Sequence, residues 1–168
     1  ADRFYEHPSR RMPVIGVTGT NGKTTTAYLL ASVLDAAGLT AGVMGTVSYR
    51  VGREEREAAR TTPEAPDVQQ LLAEMLEHGC RSAVMEVSSH ALAMHRVNGT
   101  EFDAVVFTNL GHDHLDLHGS QEEYFRAKAR LFTTEFSHLG VINVDDPYGR
   151  LIADTANSEV AGSEFRVV

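Results

Sequence analysis

The stretch Val14-Ile15-Gly16-Val17-Thr18-Gly19-Thr20-Asn21-Gly22-Lys23-Thr24-Thr25 decides the fold. Its first four residues predict a buried β-strand, positions 19–24 a glycine-rich turn, and positions 23–37 a helix. Apolar residues at Ala27, Leu30, Val33, Leu34 and Ala37 share one face of that helix, and Gly38 supplies a C-terminal stop. A strand, a glycine turn and Lys-Thr at the mouth of a helix aim backbone N–H groups and the positive end of the helix dipole at a phosphate. In such a loop Lys23 contacts the outer phosphates and Thr24 holds Mg²⁺. One departure is visible. The generic G-x-x-x-x-G-K-[ST] pattern wants a glycine where Val17 stands, and Gly16 and Gly19 flank that place without filling it.

Outward from this stretch, short β-branched runs alternate with helical patterns. Strands are expected at 41–44, 83–87, 102–107 and 141–144, with a last one at 165–168. Positions 48–60 predict an exposed hairpin or loop. Asp67 is placed as the cap of a helix carrying Val68, Leu71, Leu72, Met75 and Leu76, which Gly79 ends. Ser120 and Glu123 form a capping box for a helix over 121–132, and Pro147 after Asp146 opens another. Such alternation predicts an α/β fold, a mostly parallel sheet flanked by helices, in one domain. Ligands then bind beyond the carboxyl ends of the strands. Residues 19–24, 86–89, 109–114 and 143–146 all follow strands, so four segments are expected to converge on one edge.

Composition narrows the class. Of the 168 residues 42% are hydrophobic and 23% charged, ordinary globular usage that excludes a disordered tail, a collagen repeat or a coiled coil. No apolar run approaches the roughly 18 residues of a membrane span. The first residues lack an apolar signal core, and the single Cys80 cannot form an internal disulfide and is expected to pack as a small apolar residue. A reducing cytoplasm is the expected setting. With 15 Lys+Arg against 23 Asp+Glu, a net charge of −8, the dense basic surface of a nucleic-acid binder is absent. Small anions held by backbone N–H groups remain compatible with that balance.

Three further motifs bear on chemistry. Glu86, at a strand end beside the phosphate loop, is a natural Mg²⁺ ligand, the alternative being a buried paired carboxylate without metal. Ser88 lacks a G-x-S-x-G elbow and is not marked as a nucleophile. The run 109–118 holds three histidines and two aspartates, compatible with a zinc site or with a solvated loop carrying one functional histidine. Lys128, between Arg126 and Arg130, reads by residue type alone as part of a solvated basic helix face.

Taken together these segments resemble the ATP-binding central domain of the Mur ligases. The stretches are GVTGTNGKTTT (from Gly16), TTPE (from Thr61), MEVSSHALAMHRV (from Met85), FTNLGHDHLDLHGS (from Phe107), YFRAKARLF (from Tyr124) and NVDD (from Asn143). GTNGKTT alone marks a superfamily that includes folylpolyglutamate synthases, whereas TTPE with EVSSH is similar to the branch that adds the third amino acid of the peptidoglycan peptide. That resemblance implies ATP-dependent amide formation through an acyl phosphate, with UDP-MurNAc-L-Ala-D-Glu and an amino acid (diaminopimelate or L-lysine) as partners and ATP and Mg²⁺ as cofactors.

Residue by residue, the resemblance implies ATP contacts from Gly19, Thr20, Asn21, Gly22, Lys23, Thr24 and Thr25. It implies metal ligation by Thr24, Glu86, His114 and Lys128, the last as a carbamate, and catalysis by Lys23, Glu86, His114 and Lys128. It implies substrate contacts from Thr61, Thr62, Ser88, Arg96 and Asn109. Met94 stands where some members carry a glutamine that contacts the substrate. The family's N-terminal uridine-binding and C-terminal amino-acid-binding domains have no counterpart here. The chain is therefore expected to be a central domain, itself incomplete towards its C-terminus, and monomeric. The competing readings are a stand-alone nucleotide-binding module and a ligase of the folylpolyglutamate type.

Overall fold

Thirteen regular elements follow the predicted alternation in the computed structural model, which describes residues 1–111, 119–159 and 165–168. They are β1 (Val14–Thr18), α1 (Lys23–Ala36), β2 (Ala41–Met44), β3 (Ser48–Val51), β4 (Glu54–Glu57), α2 (Ala65–Glu77), β5 (Ser82–Glu86), α3 (Ser89–Ala93), β6 (Ala104–Phe107), α4 (Gln121–Ala129), β7 (Leu139–Ile142), α5 (Pro147–Glu159) and β8 (Arg166–Val167). The eight strands form one sheet in the order β4-β3-β2-β5-β1-β6-β7-β8. All pairings from β2 to β8 are parallel, and the β3–β4 hairpin adds two antiparallel strands at one edge.

The sheet is covered unequally. Val14, Met85, Val105, Phe107 and Ile142 face a large core with α2 to α5, which contribute Leu72, Leu92, Tyr124 and Ile152. Val17, Val43 and Val84 face α1, which contributes Ala27 and Ala31. The chain order explains the asymmetry. Right-handed β–α–β crossovers put a helix on one face when the chain moves one way along the sheet and on the other when it moves back. The β1–α1–β2 step runs one way and every later parallel step the other.

Several expectations needed correction. The α1 face is narrower than its apolar spacing suggests, because Val33 is 66% exposed while Ala31 is buried. α2 begins at Ala65 behind Glu64, with Pro66 in its first turn, so Asp67 lies inside the helix and is not its cap. Proline needs no N–H there and its fixed φ suits a helix start. The first strand of the 48–57 hairpin is buried, not exposed. The strand expected from Phe102 starts at Ala104, since the Phe102 ring packs over Gly16 and its backbone makes an isolated bridge to Ser137. β7 stops at Ile142 because Asn143 turns the chain, its Oδ1 accepting from Asp145 N at 3.1 Å. α4 tightens into a 3₁₀ turn over Arg130–Phe132. Ser120 caps it as expected, accepting from Glu123 N at 3.2 Å.

Candidate active site at the carboxyl ends of the strands

The phosphate-type loop is held by the segment that follows β6. Gly19 has φ 144° and Gly22 φ 84°, and a Cβ on Gly19 would fall 1.9 Å from Thr108 Oγ1. Only glycine tolerates both conditions at that turn. Val17, which replaces the expected first glycine, is a fully buried β1 residue, so the bend falls two residues later at Gly19. Thr20 N donates to Asn109 O (2.8 Å), Asn21 N to Asn109 Oδ1 (3.0 Å), and Thr108 Oγ1 to Asn21 O (2.7 Å). Thr25, in the first turn of α1, is exposed. Lys23 Nζ donates to Gly19 O and Thr20 O, both at 2.9 Å.

Lys128 overturns its residue-type reading. It is 1% exposed, and its Nζ donates to Gly19 O at 2.9 Å and lies 4.9 Å from the Tyr124 ring centre. The i, i+4 spacing puts Tyr124 and Lys128 on the inner face of α4, whereas Arg126 points outward to Glu122 and Glu123. Tyr124 OH meets Thr20 Oγ1 at 2.9 Å, and Thr20 Oγ1 also accepts from Gly111 N.

Glu86 ends β5 wholly buried. Oε2 accepts from Thr24 Oγ1 (3.1 Å) and Thr46 Oγ1 (3.1 Å), and Oε1 from Thr46 N (2.9 Å). Its described partners are thus neutral donors. Thr62, also buried, donates to the Glu86 carbonyl at 2.8 Å and accepts from Ser88 N at 3.0 Å. Ser88 Oγ caps α3 by accepting from Ala91 N. Thr61 Oγ1 lies 3.1 Å from Thr46 Oγ1. Arg96, its side chain 10% exposed, pairs with Glu64 at 3.0 Å and approaches Thr62 O. Its Nε is buried without a partner among the described residues, and an Nη donates to Met94 Sδ. The segment is anchored by Tyr49, whose hydroxyl bonds both to the carbonyl and to the N–H of Arg60, and burial pushes that phenol up from its usual pKa.

The structure therefore gathers two linked groups. Thr24, Glu86, Thr61, Thr62, Ser88 and Arg96 meet around the end of β5, while Lys23 shares Gly19 O with Lys128. Asn109 and Lys128 support the other side of the loop, so Asn109 sits against Asn21 and not beside Thr61–Thr62. His114 lies outside the described residues. Sequence reasoning missed Gly45, Thr46, Thr108 and Tyr124; Gly45-Thr46 directly follows β2, and that strand-end position was the available signal. A cleft of about 910 Å³ near Pro13, Phe102 and His138 lies at the opposite, amino-terminal ends of the strands and contains none of these groups.

The Mur ligase middle domain profile matches residues 17–165. This chain belongs to the Mur ligase family. Curated relatives of this middle domain include UDP-N-acetylmuramoyl-L-alanyl-D-glutamate–2,6-diaminopimelate ligases. The one from Geobacter metallireducens is 49% identical over 95% of this chain and 33% of its own length. The one from Streptomyces coelicolor is 52% identical over 95% of this chain and 31% of its own. The chain thus spans about a third of the length of these relatives. A solved ligase of the same name superposes with a TM-score of 0.83 at 31% identity, over 98% of this chain and 34% of that one. Mycobacterium tuberculosis folylpolyglutamate synthase complexed with ADP and AMPPCP shares the fold, with a TM-score of 0.67 at 18% identity over 99% of this chain and 45% of that one.

The donor set of this Mur ligase middle domain suits a hard cation. A buried carboxylate with neutral hydrogen-bond donors, beside a hydroxyl on the phosphate loop, offers oxygen atoms of the type Mg²⁺ prefers. Among the described residues no helix is long and apolar enough to cross a membrane.

Proposed function

We propose that this chain is the nucleotide-binding part of an ATP-dependent ligase that joins diaminopimelate to UDP-MurNAc-L-Ala-D-Glu in the cytoplasm. The observation that carries the proposal is the meeting of two segments on one residue. Glu86 accepts from Thr24 of the phosphate loop through its carboxylate and from Thr62 through its carbonyl. A phosphate donor and a carboxylate acceptor would thereby be brought to the same strand end. The substrate carboxylate attacks the γ-phosphorus of ATP, forming an acyl phosphate and releasing ADP. The amine then attacks the acyl carbon, and inorganic phosphate leaves.

In this mechanism the loop N–H groups and Lys23 hold the transferring phosphates, Lys23 leaving Gly19 O and Thr20 O to do so. Thr24 and Glu86, with His114 and carbamylated Lys128, would hold Mg²⁺, which supplies charge neutralisation at phosphate oxygens. A carbamate fits at Lys128 because its remaining N–H can still donate to Gly19 O. Arg96 and Thr62 would receive the substrate's carboxylate end, Arg96 turning from Glu64 to do so. The parts that bind uridine and choose the incoming amino acid are assigned to polypeptide beyond the matched third of the relatives.

Calorimetric titration tests this. The chain should bind a non-hydrolysable ATP analogue with Mg²⁺, and Lys23→Ala should weaken that binding by two orders of magnitude or so, as expected for loss of a charge-assisted phosphate contact in a preorganised site. UDP-MurNAc-L-Ala-D-Glu should then bind the nucleotide-loaded chain. Nucleotide binding without any uptake of the muramyl dipeptide would reduce the chain to a nucleotide-binding module, and a folded chain that ignores nucleotide would overturn the proposal altogether.

A further inference from the structure

Thr46, which no sequence motif names, contacts the Glu86 carboxylate through both its backbone and its side chain. Its N–H donates to Oε1 at 2.9 Å and its hydroxyl to Oε2 at 3.1 Å, so one residue grips both carboxylate oxygens. The preceding Gly45 makes room for this grip, because a Cβ there would lie 2.4 Å from Oε1. The same hydroxyl is 3.1 Å from Thr61 Oγ1. A threonine hydroxyl has one proton. Since Thr46 gives its proton to Glu86, Thr61 must donate to Thr46. The result is a directed chain, Thr61 to Thr46 to Glu86 Oε2, which Thr24 joins from the loop.

We propose that Thr46 is a positioning residue that orients the Glu86 carboxylate for a divalent cation and couples that orientation to Thr61. This rests on the cation-dependent nucleotide site proposed above. If Thr24 and Glu86 together held a divalent cation, the Thr24 hydroxyl would serve the ion in place of Oε2. Thr46 then remains the described donor on both oxygens, and it decides how the carboxylate faces the ion. Residues that orient a metal ligand typically change metal affinity by about 10–100-fold when removed.

The test uses Mn²⁺ as the probe, titrated by electron paramagnetic resonance into the chain with a non-hydrolysable ATP analogue, alongside calorimetry of the analogue without metal. Thr46→Val keeps the N–H and the side-chain shape but removes the hydroxyl. Its Mn²⁺ affinity should fall on the order of tenfold, metal-free nucleotide affinity should stay constant, and Thr46→Ser should restore the wild-type value. A merely structural role would move both affinities together, and that result, or an unchanged Mn²⁺ affinity, overturns the assignment. Equal losses in the valine and serine variants also overturn it, because serine keeps the hydroxyl. Thr61→Val, at the half-buried end of the hydroxyl chain, serves independently of whether Thr46→Val folds. It should weaken Mn²⁺ by a smaller factor, and no change overturns the coupling. In the foldable double variant, strictly additive losses would do the same. If the wild-type chain binds the analogue without metal but shows no nucleotide-linked Mn²⁺ binding, this inference fails while the nucleotide reading stands; if it binds neither, both fail.

Discussion

Gly19 O accepts from two ammonium groups, Lys23 and Lys128, each at 2.9 Å. The two have different fates at the scale of the residue. Lys23 is partly exposed at the start of α1, while Lys128 is held inside α4 against Tyr124. The proposed carbamate would form where a lysine amine takes up CO₂, and Lys128 is the buried lysine assigned that role. Incubating the chain with ¹³C-bicarbonate should therefore give one carbamate resonance in the ¹³C spectrum that is missing from Lys128→Ala and kept in Lys23→Ala. Its persistence in Lys128→Ala would move the modification elsewhere. Asn109 illustrates a different residue-scale lesson. Its side chain is used on the Asn21 backbone in both directions, so Asn109→Ala acts on the shape of the loop before it acts on any substrate.

Strand β4 is poorly supported by the core, since every one of its residues is exposed. It is tied down by Arg56, which pairs with Glu74 on α2 and with Glu54. The Arg56 hydrogen bond holds the Glu74 carboxyl below its ordinary value of 4.5. A carboxyl depressed in the folded state contributes stability above its unfolded pKa and loses it as the pH falls through the folded one. Arg56→Ala should accordingly melt a few degrees below wild type near neutral pH, and the gap should shrink as the pH falls below 4.5. An equal gap at both ends of the range would mean that Arg56 acts through packing alone. β3 is better anchored, because Tyr49 fastens it to Arg60 and so sets where Thr61 and Thr62 begin.

Across the whole molecule, one continuous core joins α2, α3, α4 and α5 to the sheet, and Cys80 belongs to it at 4% exposure, its Sγ accepting from Gly52 N at 3.2 Å. A shared core of this kind predicts cooperative opening. Cys80 should resist a thiol reagent in the native state and react at the global unfolding rate, and the urea midpoint by thiol labelling should coincide with that by circular dichroism. Fast labelling in the absence of denaturant would show that the β5 end opens locally. On the other face, α1 stands alone among the described helices, which leaves Val141 of β7 41% exposed.

The sequence by itself determined the alternation of strands and helices, the parallel character of the sheet and the placing of the chemical residues at strand ends. These follow from local periodicity and from glycine, proline and capping residues that act within a few positions of themselves. The loop 19–24 and Glu86 were legible for that reason. Lys128 was not legible from spacing, because its neighbours Arg126 and Arg130 carry the same charge, and only the packing of α4 against the loop separates a buried lysine from an exposed one. Thr46 was hidden for a similar reason. A threonine after a strand is common, and it becomes part of a site only when the parallel pairing of β2 with β5 brings it to Glu86. Tertiary structure decided which hydroxyls share one carboxylate, since the contacts of Glu86 with Thr24 and Thr46 join positions 62 and 40 residues apart.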